Sequence, residues 1–252
     1  MNTVGDVVKR EGFFKKFLKN DLSRTFVILV VLCLIMGIAR PQTFLTFNNL
    51  INMISQISVN GIMVMGLFFA ILTGGINISI GSVAAFTSLI TAMMLVSKNP
   101  FTSNMAVALA AGIGISVVVG IIAGFFIAEL GLQPYIVTLA LQVMFRGLTM
   151  VVSQGIPVSK LGNAFSYIGV KYLGPIPINV IIMMALFAIF YYVLEHTCFG
   201  RHLYAIGGNK EAARLSGINT KKDIYKVYII GSLMAAVAGM ILASRVNSAT
   251  PQ

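Results

Sequence analysis

Long apolar runs separated by short polar breaks dominate this chain. Continuous apolar stretches fall at about residues 22–40, 51–73, 78–97, 105–128, 134–152, 177–194 and 224–244. A bilayer core ~30 Å thick takes roughly 20 helical residues to cross, and each run is close to that length. None alternates with period two, so the runs predict helices rather than barrel strands. The fold class expected is all-α: a polytopic membrane helical bundle of about seven transmembrane helices.

Polar positions inside the runs mark where such a bundle departs from plain lipid-facing helix. Residues 41–97 carry no charge. Within them, Asn48, Asn52, Gln56 and Asn60 recur every fourth residue, which on a helix keeps them on one slowly drifting stripe. Carboxamides donate and accept hydrogen bonds without trapping a solute by charge, so the stripe suits a path for a hydroxyl-rich solute. Bonding to neighbouring helices is the competing reading. "LTGGINISIGS" then interrupts the apolar run with Gly74, Gly75, Asn77, Ser79, Gly81 and Ser82. It reads either as a tight hairpin or as a broken helix at membrane depth. Arg146 lies about 18 Å along a run opened by Pro134, and is either functional or a packed, snorkelling charge. Gly120 and Gly124 form a G-x-x-x-G that permits close helix packing.

Composition agrees with a membrane protein. The 252 residues are 58% apolar and 10% charged, without Trp, and mean hydropathy is +0.92. Cys33 and Cys198 suggest no disulfide framework and read as reduced. Of the 18 Lys and Arg, six lie in the tail (Lys9, Arg10, Lys15, Lys16, Lys19, Arg24) and six in 195–226 (Arg201, Lys210, Arg214, Lys221, Lys222, Lys226). Six runs separate these two segments, so both fall on one face, which the positive-inside rule makes cytoplasmic. Arg40, Lys98, Lys160, Lys171 and Arg245 fall outside. The excess positive charge is thus topological and implies no nucleic acid. The organisation expected is a cytoplasmic N-terminal tail, 1–25, and a transmembrane domain, 26–252, carrying a cytoplasmic loop at 195–223. Phe13, Phe14, Phe17 and Leu18 give the tail an amphipathic face, and no cleavage site follows the first run.

No catalytic constellation is present. His196 and His202 lack clustered acids or thiols, so no metal site is expected. No G-x-x-x-x-G-K-[ST] occurs, so the chain should not hydrolyse a nucleotide. Intramembrane acids, the usual carriers of ion coupling, are missing as well, which argues against a secondary transporter. What remains is "GGNKEAARLSGIN", residues 207–219. Asn209 is a good N-cap, Glu211 complements the dipole of a two-turn helix, and Gly217 can end it. Thr220 and Asp223 resemble a capping box opening the next helix. Ala212 and Ala213 give the short helix a smooth face that fits a groove on another protein. An ordinary solvated loop helix is the plainer alternative.

"ILTGGINISIGS", "YIVTLALQVMFRGLTMV", "FGRHLYAIGGNKEAARLSGIN" and "GMILASRVNSATP", in this order, resemble the permease subunits of bacterial ABC importers for monosaccharides of the ribose, xylose and galactose type. The resemblance covers nearly all of the chain beyond the tail. It implies that Glu211, Ala212, Ala213 and Gly217, with Arg214 between them, form the E-A-A-x-x-x-G element that docks into an ATPase subunit. It also implies alternating access, with the substrate path drawn from Asn52, Gln56, Asn60, Gly74, Gly75, Asn77, Ser79 and Arg146. The implied partners are an ABC ATPase, which binds ATP and Mg, a periplasmic or lipid-anchored sugar-binding protein, a second permease chain and the lipid bilayer. No cofactor is expected in this chain, and the implied location is the bacterial cytoplasmic membrane. Asn77 departs from the aspartate many relatives carry in "TGGIDLS". The family also continues for several further spans, which this sequence is expected to lack. Permeases for nucleosides or other small polar solutes are the nearest alternatives.

Overall fold

The computed structural model describes residues 21–251. The tail's proposed amphipathic face, Phe13 to Leu18, lies outside the described residues. The described residues divide into two compact units, which part between Met53 and Ile54. In the first, α1 (Asp21–Ala39) and α2 (Pro41–Phe44) precede the start of α3 (Phe47–Leu72). The short α2 begins with Pro at its first position, where a missing N–H costs nothing. The Asn49 carboxamide donates to the Phe44 carbonyl at 2.9 Å and so pins the turn between α2 and α3. Phe26, Leu29, Leu32 and Ile35 of α1 are exposed, as suits a helix whose solvent is lipid.

The second unit holds the rest of α3, then α4 (Ile80–Val96), α5 (Met105–Gly124), a π-helical turn (Phe125–Glu129) and α6 (Pro134–Ser153). After it come β1 (Val158–Ser159), α7 (Asn163–Val170), β2 (Tyr172–Leu173), β3 (Ile176–Pro177), α8 (Ile178–His196), α9 (Cys198–Gly208), α10 (Lys210–Leu215), α11 (Thr220–Val246) and β4 (Ser248–Ala249). Each of the seven apolar runs forms a helix. Among the described residues, five helices are long and apolar enough to cross a membrane: Phe47–Leu72, Met105–Glu129, Pro134–Ser153, Ile178–His196 and Thr220–Val246. Ser23–Ala39 and Ile80–Val96 are apolar but shorter. The chain is a multi-pass membrane protein.

The core is built around α11. At 27 residues it is about 40 Å long, and its Val227, Ala235, Ala236 and Ala238 are fully buried. Its neighbours approach through glycines. A Cβ on Gly120 of α5 would lie 2.5 Å from the Ile229 Cα, and one on Gly66 of α3 would lie 3.0 Å from the Gly231 carbonyl. One on Gly239 would collide with the Ala84 carbonyl oxygen of α4. The Gly120 and Gly124 pair therefore serves packing, as its spacing predicts, and Gly124 meets Tyr225 one turn away.

Beyond Val246 the chain turns back. Asn247 adopts the left-handed conformation (φ 53°), and its side chain accepts from the Leu161 N–H at 3.0 Å. β4 then pairs antiparallel with β1, with Val158 opposite Ala249 and Ser159 opposite Ser248. β2 and β3 form a second short antiparallel pair.

Candidate functional site

Two regions of the second unit hold most of the residues that the sequence singles out. The first is the link between α3 and α4. Helix α3 closes at Leu72, with the Gly75 N–H donating to the Ala70 carbonyl (2.9 Å) and Gly74 at φ 76°, where a side chain would be strained. Asn77 is buried, and its Oδ1 accepts from the Ser79 N–H (3.1 Å) and the Ser79 hydroxyl (2.7 Å). It thereby supplies the acceptor that opens α4. Only the oxygen is used in these bonds, so an aspartate would serve the same purpose.

The backbone freed by the break is satisfied from α6. The buried Thr138 hydroxyl donates to the Ile76 carbonyl (3.1 Å) and accepts from the Ile78 N–H (3.3 Å). Sequence reading missed Thr138, because a lone Thr in an apolar run ordinarily bonds back to its own helix. A Cβ on Gly75 would lie 2.7 Å from the Tyr228 hydroxyl and 3.2 Å from the Pro134 Cβ. A Cβ on Gly231 would lie 3.2 Å from the Asn77 Nδ2. The link is therefore level with Tyr228 to Gly231, about 12–17 Å along α11 from Thr220.

Arg146 stands two turns beyond Thr138 on α6. With Ile78, Gly81, Ser82, Gln142 and Thr149 it lines a cavity of about 220 Å³, closed on another side by Pro251 of the returning segment. The structure thus brings Arg146 to the break. Gln56 and Asn60 are exposed on α3 and do not line this cavity. They lie about 18–24 Å along the helix from Leu72. Asn52 belongs to the first unit and is exposed there.

The second region is the stretch around α10. Asn209 Oδ1 accepts from the N–H groups of Glu211 and Ala212, each at 3.0 Å, capping the helix as expected. At the other end the Gly217 N–H donates to the Arg214 carbonyl and the Ile218 N–H to the Ala213 carbonyl, a Schellman closure with Gly217 at φ 86°. The two alanines divide. Ala213 is buried against its own chain, whereas Ala212 is exposed beside Glu211, Arg214 and Leu215. Leu215 is 78% exposed and is the one large apolar side chain of this helix. Its place in "EAARLSG" is plain from the sequence, but its orientation is not. Glu211 and Arg214 form a surface ion pair. Glu211 raises the Arg214 guanidinium above its usual pKa, by its hydrogen bond first and its charge second.

The surroundings correct the sequence reading in two places. The cap of α11 is Asn219, whose side chain accepts from the Lys222 N–H at 3.1 Å, so Thr220 and Asp223 form no capping box. Asp223 is instead buried, and its carboxylate meets His202 Nδ1 (2.9 Å) and Lys226 Nζ (3.0 Å). His202 therefore does face an acid, although no group of three metal-ligating side chains occurs among the described residues. This cluster ties α9 to α11. Glu129, at the end of the π-helical turn, pairs with Lys221 at 2.6 Å. Sequence reading also missed the helix α9. Its Gly207 lies so close to the Leu72 carbonyl that a Cβ there would collide with it.

Comparison with known proteins adds a family. The family model described as branched-chain amino acid transport system, permease component, matches residues 49–252. The ribose import permease protein of Haemophilus influenzae is 37% identical over 232 residues, 90% of this chain and 70% of that protein. The ribose import permease protein of Bacillus subtilis is 39% identical over 228 residues, 90% and 69% of the two chains. The D-allose transport system permease protein of Escherichia coli is 35% identical over 233 residues, 92% and 70%. No solved structure matches the chain.

Proposed function

Since the chain belongs to the family of branched-chain amino acid transport system permease components, we propose that it is the permease subunit of an ATP-driven monosaccharide importer, powered by a separate ATPase through α10. It is a transporter subunit, not an enzyme. The relatives named for ribose and D-allose support a monosaccharide as cargo.

The observation that carries the coupling role is α10 itself. It is closed at both ends by its own residues and presents Glu211, Ala212, Arg214 and Leu215 outward. A helix with both ends satisfied needs little further ordering to dock, which lowers the entropic cost of association. α10 packs against both α9 and α11, and the His202, Asp223 and Lys226 cluster ties those two helices to each other, so force at α10 passes to the central helix. Charge bias supports a cytoplasmic N-terminus and a cytoplasmic 195–226 in a bacterial plasma membrane, with all seven apolar helices spanning. An external binding protein delivers the sugar, and a second permease chain completes the path. The link at 74–79 and Arg146 contribute to that path within this chain. The exposed amides Gln56 and Asn60, with Asn52 on the same sequence stripe, suit a face turned to water or to the second chain.

The test uses membranes containing this chain with its ATPase and binding protein. Gly217→Ala forces a side chain into φ 86°, at a local cost of about 1–2 kcal/mol, and Glu211→Ala removes the first-turn acid. Both variants should insert normally and leave ATP hydrolysis running while sugar uptake falls ~10-fold or more. Normal uptake in both would remove α10 from the coupling role.

A further inference from the structure

The cavity beside Arg146 has a feature that packing does not explain. Gln142 Oε1 is buried and makes no hydrogen bond. The cavity that Gln142 lines measures about 220 Å³, far above the ~10–15 Å³ that admits one water and below the ~300–1,000 Å³ of drug-sized ligand sites. A buried acceptor with no partner at all costs roughly 1–3 kcal/mol, so an occupant of this cavity is favoured if it donates to Gln142 Oε1.

We propose that this cavity is a binding site for a neutral polyhydroxyl solute of monosaccharide size, recognised by Gln142 and Arg146. This rests on the importer reading and assigns its substrate contact within this chain. The lining donors and acceptors select the ligand. Arg146 offers only donors, and the Gln142 carboxamide offers both a donor and an acceptor. The Ser82 hydroxyl already donates to the Ser79 carbonyl (2.9 Å) and the Thr149 hydroxyl to the Phe145 carbonyl (2.6 Å), which leaves both as acceptors toward the cavity. The matching ligand must therefore accept from a guanidinium and donate to several oxygens. A hydroxyl group does both. A carboxylate or dianionic phosphate would satisfy Arg146 and leave the buried Gln142 oxygen facing another acceptor. Ile78, Ala85 and Pro251 supply apolar contact for the C–H faces of a sugar ring.

The experiment uses the full chain in lipid nanodiscs, titrated with D-ribose, D-allose and, separately, inorganic phosphate, with saturation-transfer NMR reading binding. At least one sugar should bind saturably and resist displacement by phosphate. Gln142→Met should weaken that binding ~5–10-fold and Arg146→Met ~10–100-fold. No sugar binding, displacement by phosphate, or binding unchanged in both variants overturns the assignment. ATP-dependent uptake by the wild-type complex is measured in parallel. Uptake that survives intact in Gln142→Met and Arg146→Met removes only the cavity, whereas absence of uptake in the wild type removes the importer reading.

Discussion

Thr138 shows how much can depend on one hydroxyl. The break after Leu72 leaves the Ile76 carbonyl and the Ile78 N–H without helical partners, and one side chain from another helix satisfies both. Thr138→Val keeps the shape and removes the hydroxyl, so we expect a loss of about 1–3 kcal/mol, read as a lower unfolding midpoint in detergent. Thr138→Ser should restore most of it. Asn77 follows the same logic. Because its role in the link is to accept from Ser79, Asn77→Asp should keep more of the midpoint than Asn77→Ala, its two bonds offsetting part of the cost of a buried charge. The resemblance makes an acid the usual residue here, and the geometry asks only for an oxygen. The sequence disclosed the break through its glycines. It could not disclose Thr138, which is 60 residues away from Ile78 in the chain and typical of its own helix.

At the scale of elements, helix packing separates glycines that look alike. Gly120 faces the α11 backbone, while Gly114, nearly two turns earlier on α5, has nothing near its Cβ position. Gly120→Leu should push the helices apart and abolish a monodisperse folded peak on size exclusion. Gly114→Ala should leave folding intact or stabilise it slightly, since Ala is favoured over Gly by about 1 kcal/mol in a helix. The apolar runs themselves were legible because hydrophobic periodicity and length are local properties. The caps of α10 were also legible, since Asn209 and Gly217 act within a few residues of themselves. By contrast α9 went unread although its signals are local: the Thr197 hydroxyl caps it by accepting from the Gly200 N–H, and Gly200, Leu203 and Ile206 form a buried face at every third residue. Only its contacts through Gly207 and His202 lie far off in sequence. Thr220 and Asp223 matched a capping pattern, yet Asn219 one position earlier took the cap and released Asp223 for the ion cluster.

For the whole molecule, the charge pattern sets an orientation that labelling can read. In a background with Cys33 and Cys198 replaced by serine, Leu215→Cys and Tyr167→Cys place thiols at exposed positions of α10 and α7. An impermeant maleimide added to intact cells should label the Tyr167 position and spare the Leu215 position, and inverted vesicles should reverse the result. The opposite pattern would invert the topology proposed above.

The bond between Thr138 and the link has a mechanical meaning as well as an energetic one. The Thr138 hydroxyl grips the backbone on both sides of Asn77, while the Asn77 side chain turns toward Ser79 and α4. Clamp and cap thus divide the link between two helices. Each helix beside the break therefore holds one part of it, which makes the 74–79 link a braced corner rather than a free hinge.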